Sequence, residues 1–236
     1  MELSGRNRRR WFRAYVEQLI DRDALQISNR PPRAGKLRSV LESCAARTGL
    51  ELNKQATAKD AGVDFKTADS YLSMLEALCV AGRVPAWHAK RLPRLTRSPK
   101  VVLSDPGMAA HLLNVDAVSL GRDPILVGQM FETFAATELL AHIETAQEET
   151  RMFHLRDRDG KEVDIVLESQ GRIVGIEVKS SSVVGRDDAK GLLWLRDRLG
   201  ENFAGGAVLS SASVPFQIDD RVWALPLSAL WRAPSQ

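Results

Sequence analysis

Two short apolar runs with a tight break between them constrain this chain more than any other stretch. Glu162-Val163-Asp164-Ile165 opens the first, and Ile173-Val174-Gly175-Ile176-Glu177-Val178-Lys179 makes the second. The pattern predicts two strands of one hairpin. Strand side chains alternate with a period of two, so Glu177 and Lys179 share a face. A hydrophobic strand does not normally set a carboxylate beside an ammonium unless both are used or paired.

The spacing points to metal chemistry. Mg2+ needs hard oxygen ligands and takes one or two carboxylates, with water and substrate phosphate completing the shell. Asp164 and Glu177 on neighbouring strands supply two carboxylates, and the carbonyl of Val178 is a further ligand. Lys179 then lies beside the reacting water, placed to orient it or to stabilise charge on a phosphoryl group. Glu132, on the preceding helix, is a further ligand or base if that helix turns the right face inward. A bland alternative stands beside this. Glu-X-Lys also occurs as an exposed charged strand, and Asp164 also suits a turn cap or a pair with Arg156 or Arg158.

Other constellations are weaker. His88, His111, His142 and His154 are scattered without metal spacing. Gly205-Gly206 follows no predicted strand, and no Gly-x-x-x-x-Gly-Lys-Ser/Thr occurs, so no ATP site is expected in this chain. Ser180, Ser181 and Ser182 have no neighbouring histidine to activate them.

The 236 residues suggest one large domain or two small ones. No apolar stretch approaches about 20 residues, and no apolar segment follows the first basic residues, so neither a membrane span nor a secretory signal is expected. Cys44 and Cys79 read as reduced packing residues of a cytoplasmic protein. The net charge of +3 hides an asymmetry. Met1–Leu103 carries 20 Lys+Arg against 10 Asp+Glu, and the remainder carries 13 against 20. The basic half is a candidate for nucleic acid, or simply a solvated surface.

Along the chain, residues 1–35 form a basic helical segment. Trp11, Tyr15, Leu19 and Ile20 are its predicted apolar face. Residues 36–99 predict a helical module: a helix over Lys36–Thr48, another over Lys54–Ala61, and a turn at Gly62-Val63-Asp64. A helix over Phe65–Leu78 follows, capped by Asp64, and then a wing over Val80–Trp87. That order suits a winged helix-turn-helix. Its exposed Lys66, Thr67 and Ser70, with Arg91, Arg94 and Arg97 of the connector, are candidate nucleic-acid contacts. Asp69 and Glu76 would oppose phosphate, so a module used only for packing remains open. Residues 100–236 predict α-β-β-β-α-β-β, a mixed α/β sheet.

Several of these segments resemble a known family. They are Arg10-Trp11-Phe12…Tyr15-Val16…Leu19-Ile20-Asp21-Arg22-Asp23, the helices around Thr67–Leu78, and Lys100-Val101…Asp105-Pro106-Gly107. Gly128…Phe131-Glu132-Thr133-Phe134…Glu138-Leu139 and Glu162-Val163-Asp164…Ile176-Glu177-Val178-Lys179-Ser180 complete the set. Together they look like the C-terminal region of bacterial and archaeal AAA-superfamily ATPases that carry domain of unknown function 4143. The resemblance implies a winged helix joined to a PD-(D/E)XK restriction-endonuclease-like domain. It places Glu132, Asp164, Glu177 and Lys179 on the nuclease motif positions. Members of that family begin with an ATPase domain bearing a phosphate loop. Here the loop is absent, and the chain reads as a truncated product.

The expectation is therefore an α/β (α+β) protein associated with DNA, or with RNA. Its nuclease-like domain is read as a site of Mg2+-dependent phosphodiester hydrolysis. The alternative is a non-catalytic accessory half that binds DNA or a partner protein, or that self-associates.

Overall fold

The computed structural model describes residues 5–27, 31–88, 98–157 and 160–231. The chain divides into two compact units. One holds Met1–Arg83 with Val101–Pro124, and the other holds Val84–Lys100 with Ile125–Gln236. The sequence segments 1–35 and 36–99 fall mainly in the first unit. Residues Val101–Pro124 join them there, because β2 (Lys100–Leu103) pairs with β1 (Ala81–Val84) in a two-stranded sheet.

The first unit opens with α1 (Gly5–Gln18), a π-helical turn over Leu19–Asp23, and the short α2 (Ala24–Gln26). Phe12, Val16, Leu19 and Ile20 are buried, while Trp11 and Tyr15 are 52% and 40% exposed and stack on each other at 5.1 Å. Leu19 and Ile20 are buried as predicted, while within α1 the inward face is turned one residue, from Trp11 and Tyr15 to Phe12 and Val16. Either choice repeats every four residues, and Phe12 reaches a stacking partner, the ring of His111, at 5.7 Å.

Helices α3 (Ala34–Ala46), α4 (Lys54–Ala61) and α5 (Phe65–Ala77) follow as the sequence predicts. Asn53 caps α4 by accepting from Ala56 N, and Asp64 caps α5 by accepting from Thr67 N. Gly62 closes α4 in the left-handed conformation. At the end of α5 that place falls to Cys79, with φ of 55°. Val80 N donates to Leu75 O and Cys79 N to Glu76 O, the paired bonds of a Schellman motif. Cys79 is exposed, so only Cys44 is a packing cysteine. Phe65 is also exposed, and the buried stripe of α5 is Ala68, Tyr71, Leu72, Met74 and Leu75. Two helices were not foreseen: α6 (Pro106–Leu112), capped by Asp105, and α7 (Ala117–Leu120), with an Asp116/Ser119 capping box.

The second unit contains α8 (Pro124–Thr145), β3 (Arg151–Arg156), β4 (Glu162–Ser169), β5 (Arg172–Lys179), α9 (Lys190–Leu199), β6 (Phe203–Ser210), β7 (Phe216–Asp219) and β8 (Val222–Pro226). Its six-stranded sheet runs β3-β4-β5-β6-β8-β7. β3, β4 and β5 are antiparallel neighbours. β6 lies parallel to both β5 and β8, and β7 returns antiparallel as the edge. This is the mixed α/β sheet read from the sequence, with β7 added. The β4–β5 turn places Gln170 and Gly171 at φ of 50° and 76°, the twist a two-residue hairpin needs.

Helix α9 lies on the sheet with Leu192 and Leu195 buried against Val163, Val166, Ile173, Phe203, Val208 and Val222. Two glycines permit the approach. A Cβ on Gly175 would stand 2.8 Å from Leu192 Cδ2. One on Gly191 would stand 2.0 Å from the carbonyl oxygen of Glu162. No atom can sit that close, so the first turn of α9 and the head of β4 meet only because residue 191 lacks a side chain.

Two outcomes are expected. Gly191→Ala should destabilise the chain by about 2 kcal/mol or more, because backbone rather than a flexible side chain must yield; an unchanged urea midpoint would contradict this. Cys79→Gly should raise stability by about 0.5 kcal/mol, since glycine carries no penalty in that conformation; a lower midpoint would contradict it.

Candidate functional site

β4 and β5 pair regularly from Ser169↔Arg172 down to Ile165↔Ile176, where the regular register ends. The next residues on the two strands are Asp164 and Glu177. On its other edge β4 carries a bulge: Phe153 pairs with Val166 and Leu155 with Val163, so two steps along β3 answer three along β4. Such a bulge bends the strand and re-aims the extra side chain. It falls on Asp164 and Ile165. Asp164 turns toward β5, and its Oδ2 accepts from Val178 N at 2.9 Å. A side chain thereby satisfies a main-chain donor that the neighbouring strand no longer reaches.

Glu177 is buried, and Lys179 Nζ donates to its Oε2 at 3.1 Å. The two residues share a face, as strand periodicity requires. Glu177 Oε1 also lies 2.8 Å from the place a Cβ on Gly191 would take, so the start of α9 backs the carboxylate.

A second lysine enters the same cluster. Lys100, at the head of β2, is only 4% exposed. Its Nζ lies 2.7 Å from Glu132 Oε1, 3.2 Å from Glu162 Oε1 and 3.7 Å from Asp164 Oδ1. Glu132 reaches it from α8. Arg156 flanks Glu162 at 3.6 Å from the solvent side. Four carboxylates, from α8, β4 and β5, therefore face two ammonium groups.

The electrostatics follow from that imbalance. Burial pushes the Glu132 carboxyl up to about 7, Asp164 adds to the rise, and Lys100 opposes it. Burial, with Asp164 again second, holds Glu177 well above the usual carboxyl range against the pull of Lys179. Burial acts to lower both lysines, yet the carboxylates win. Glu132, Asp164 and Glu162 raise Lys100, and Glu177 and Asp164 raise Lys179. Raised carboxyls beside raised amines are the signature of too much negative charge in too little water. Strongly perturbed groups gathered in this way are a mark of functional sites, although structural ion-pair networks also produce them.

All four residues singled out as catalytic, Glu132, Asp164, Glu177 and Lys179, thus fall in one cluster. The sequence reading missed Lys100 and Glu162. Lys100 heads an apolar tetrapeptide that burial takes whole, and a lysine there needs an acid partner; the sequence does not say which. Among the described residues no group of three or more His, Cys, Asp or Glu side chains has the geometry to hold a metal ion. The histidines stand apart from this chemistry. His88 and His142 are exposed, His111 stacks on Phe12, and buried His154 has Nε2 2.9 Å from Ser98 O.

The candidate nucleic-acid contacts divide differently. On α5, Lys66 and Ser70 are exposed, but Thr67 gives its hydroxyl to Asp64 Oδ2 at 2.6 Å. The opposing acids are neutralised. Asp69 pairs with Lys54 at 2.6 Å, and Glu76 is bonded by Arg83. Arg91, Arg94 and Arg97 lie outside the described residues. No helix among the described residues is long and apolar enough to cross a membrane.

Comparison with known proteins agrees with this two-part organisation. Residues 2–119, half of the chain, match a domain of unknown function, DUF8612, and residues 127–230 match another, DUF4143. The uncharacterized proteins Rv2008c of Mycobacterium tuberculosis and Mb2031c of Mycobacterium bovis are each 27% identical over 219 residues. That alignment covers 92% of this chain and 47% of each relative, so the chain spans about half the length of the relatives it matches. Protein VC1899 of Vibrio cholerae, solved by crystallography, aligns with 90% of this chain and 49% of its own at 14% identity. The TM-score of that alignment is 0.30. The chain belongs to the DUF8612 family through its first half and carries a DUF4143 domain in its second.

Proposed function

We propose that the second unit is a PD-(D/E)XK-like domain that hydrolyses phosphodiester bonds with Mg2+, and that the first unit includes a winged helix-turn-helix that holds nucleic acid, DNA in the first instance. One observation carries the catalytic reading. Asp164 and Glu177 leave the paired part of a hairpin together, with the Lys179 amine bonded to Glu177.

The donor set fits a hard divalent ion. It is all oxygen, it is half-buried or buried, and its acids outnumber its amines. Asp164, Glu177 and the Val178 carbonyl would hold the ion, which would polarise the phosphoryl group and activate water. The N–H and C=O of an extended residue point to the same strand edge, so the Val178 carbonyl shares the Asp164 side with its N–H. Lys179 is the more exposed of the two lysines, and it sets a positive charge where negative charge grows on the phosphate. Glu132 and Glu162 hold the Lys100 ammonium, which lies 3.7 Å from Asp164 Oδ1.

For nucleic acid, the favourable features are on α1 and α5. Arg6, Arg8, Arg9, Arg10 and Arg13 are exposed on α1 around the stacked Trp11 and Tyr15. Arg9 adds to the hydrogen bonds from Ser119 in lowering the Asp116 carboxyl, and Arg13 adds to burial in lowering the His111 imidazole. Lys66 is exposed on α5, and pairing of Asp69 and Glu76 removes the repulsion expected there.

A second reading has its own support. Lys100 already gives three of the carboxylates a cation, so the cluster also makes sense as an internal ion network in a domain that binds without cutting.

Asp164→Ala and Lys179→Ala should each lower Mg2+-dependent cleavage of single- or double-stranded DNA or RNA by about 100-fold or more, with the fold intact by circular dichroism. Wild-type rates in both variants would remove the assigned site. In a mobility-shift titration, DNA affinity should fall at least about tenfold between about 50 and 200 mM salt, as contact through several cationic side chains requires. No shift at low salt would discard the nucleic-acid part. Salt-sensitive binding without cleavage would select the second reading.

A further inference from the structure

We propose that Lys100 is a built-in counter-ion that competes with a divalent cation for Asp164 and so sets how tightly this site takes metal. The proposal rests on the reading of Asp164 and Glu177 as metal ligands, and it concerns a residue outside that ligand set.

Three facts support it. Lys100 is 4% exposed, and an ammonium is not left in such a place without compensation. Its Nζ touches acids from two separate elements, Glu132 of α8 and Glu162 and Asp164 of β4. Asp164 is the one carboxylate shared by both parts of the cluster: Oδ1 faces Lys100, and Oδ2 holds Val178 N. A divalent ion bound between Asp164 and Glu177 would stand within a few ångströms of that ammonium. Two cations so close in a place shielded from water repel strongly. Metal entry therefore demands that Lys100 withdraw from Asp164 or that the repulsion be borne, and either lowers affinity. Glu132 and Glu162 give the ammonium somewhere to withdraw to.

The alternative role is purely positional, with Lys100 holding Asp164 in the orientation a metal needs. The two roles predict opposite signs. Lys100→Met keeps the length and apolar stem and removes the charge, and Lys100→Gln keeps a donor for Glu132. Mn2+ binding, followed by calorimetry or by loss of the free-ion paramagnetic signal, reads the effect without any substrate. Competition predicts at least about tenfold tighter Mn2+ binding in both variants than in the wild-type chain, lost again when Asp164→Ala is added. Mn2+ should also raise the thermal midpoint of Lys100→Gln more than that of the wild type. If Lys100→Met is unfolded alone but folds with Mn2+, the external ion has replaced the internal one, and the proposal stands. Equal or weaker binding in Lys100→Gln would overturn it, and so would binding in neither protein. Failure of the catalytic reading is separate: it would appear as no cleavage by the wild type even where Mn2+ binds as expected here.

Discussion

The site depends on one hydrogen bond, from the amide of Val178 to the carboxylate of Asp164. β4 and β5 form a regular antiparallel pair as far as Ile165 and Ile176. Beyond that point an amide facing the neighbouring strand needs another acceptor or stays unpaired in a half-buried place. Asp164 supplies the acceptor. The same step draws an acid into the gap between strands, beside Glu177 and within reach of Lys100. Structure and the proposed chemistry share that carboxylate.

Three different elements must then agree on a few ångströms. The bulge against β3 turns Asp164, the bare backbone of Gly191 lets α9 close over Glu162 and Glu177, and α8 delivers Glu132 to Lys100. Desolvating four acids and two amines is unfavourable, and buried ion pairs of this kind seldom add net stability. The raised carboxyls of Glu132 and Glu177 bind protons more tightly in the folded chain than in the unfolded one. Their contribution therefore weakens the fold as pH rises through their titration range.

Much of this was legible in the sequence, and the misses have physical causes. The Glu162–Lys179 hairpin announces itself through its two apolar runs and their alternation, and β5 runs over the residues that alternation marks. Gly62 and Asp64 mark their helix ends because the lack of a side chain, or the side chain itself, does a local job, and Asn53 caps α4 in the same way. The inward face of α1 was read one residue off because Trp11/Tyr15 and Phe12/Val16 have the same spacing, and only tertiary contact chooses between them. β7 was missed because Phe216-Gln217-Ile218-Asp219 is short and becomes a strand only by pairing with β8. Lys100 was missed for a deeper reason. Its partners come from two segments, 32 and more than 60 residues away, and no local pattern encodes them.

The central claim is that Asp164 and Glu177 can share one cation. The most direct measurement is anomalous diffraction from crystals of the wild-type chain soaked in Mn2+. The account predicts a peak about 2.0–2.3 Å from a carboxylate oxygen of each residue, with Lys100 turned toward Glu132 and Glu162. A map with no peak there, or with the ion bound elsewhere while Lys100 stays against Asp164, would contradict it.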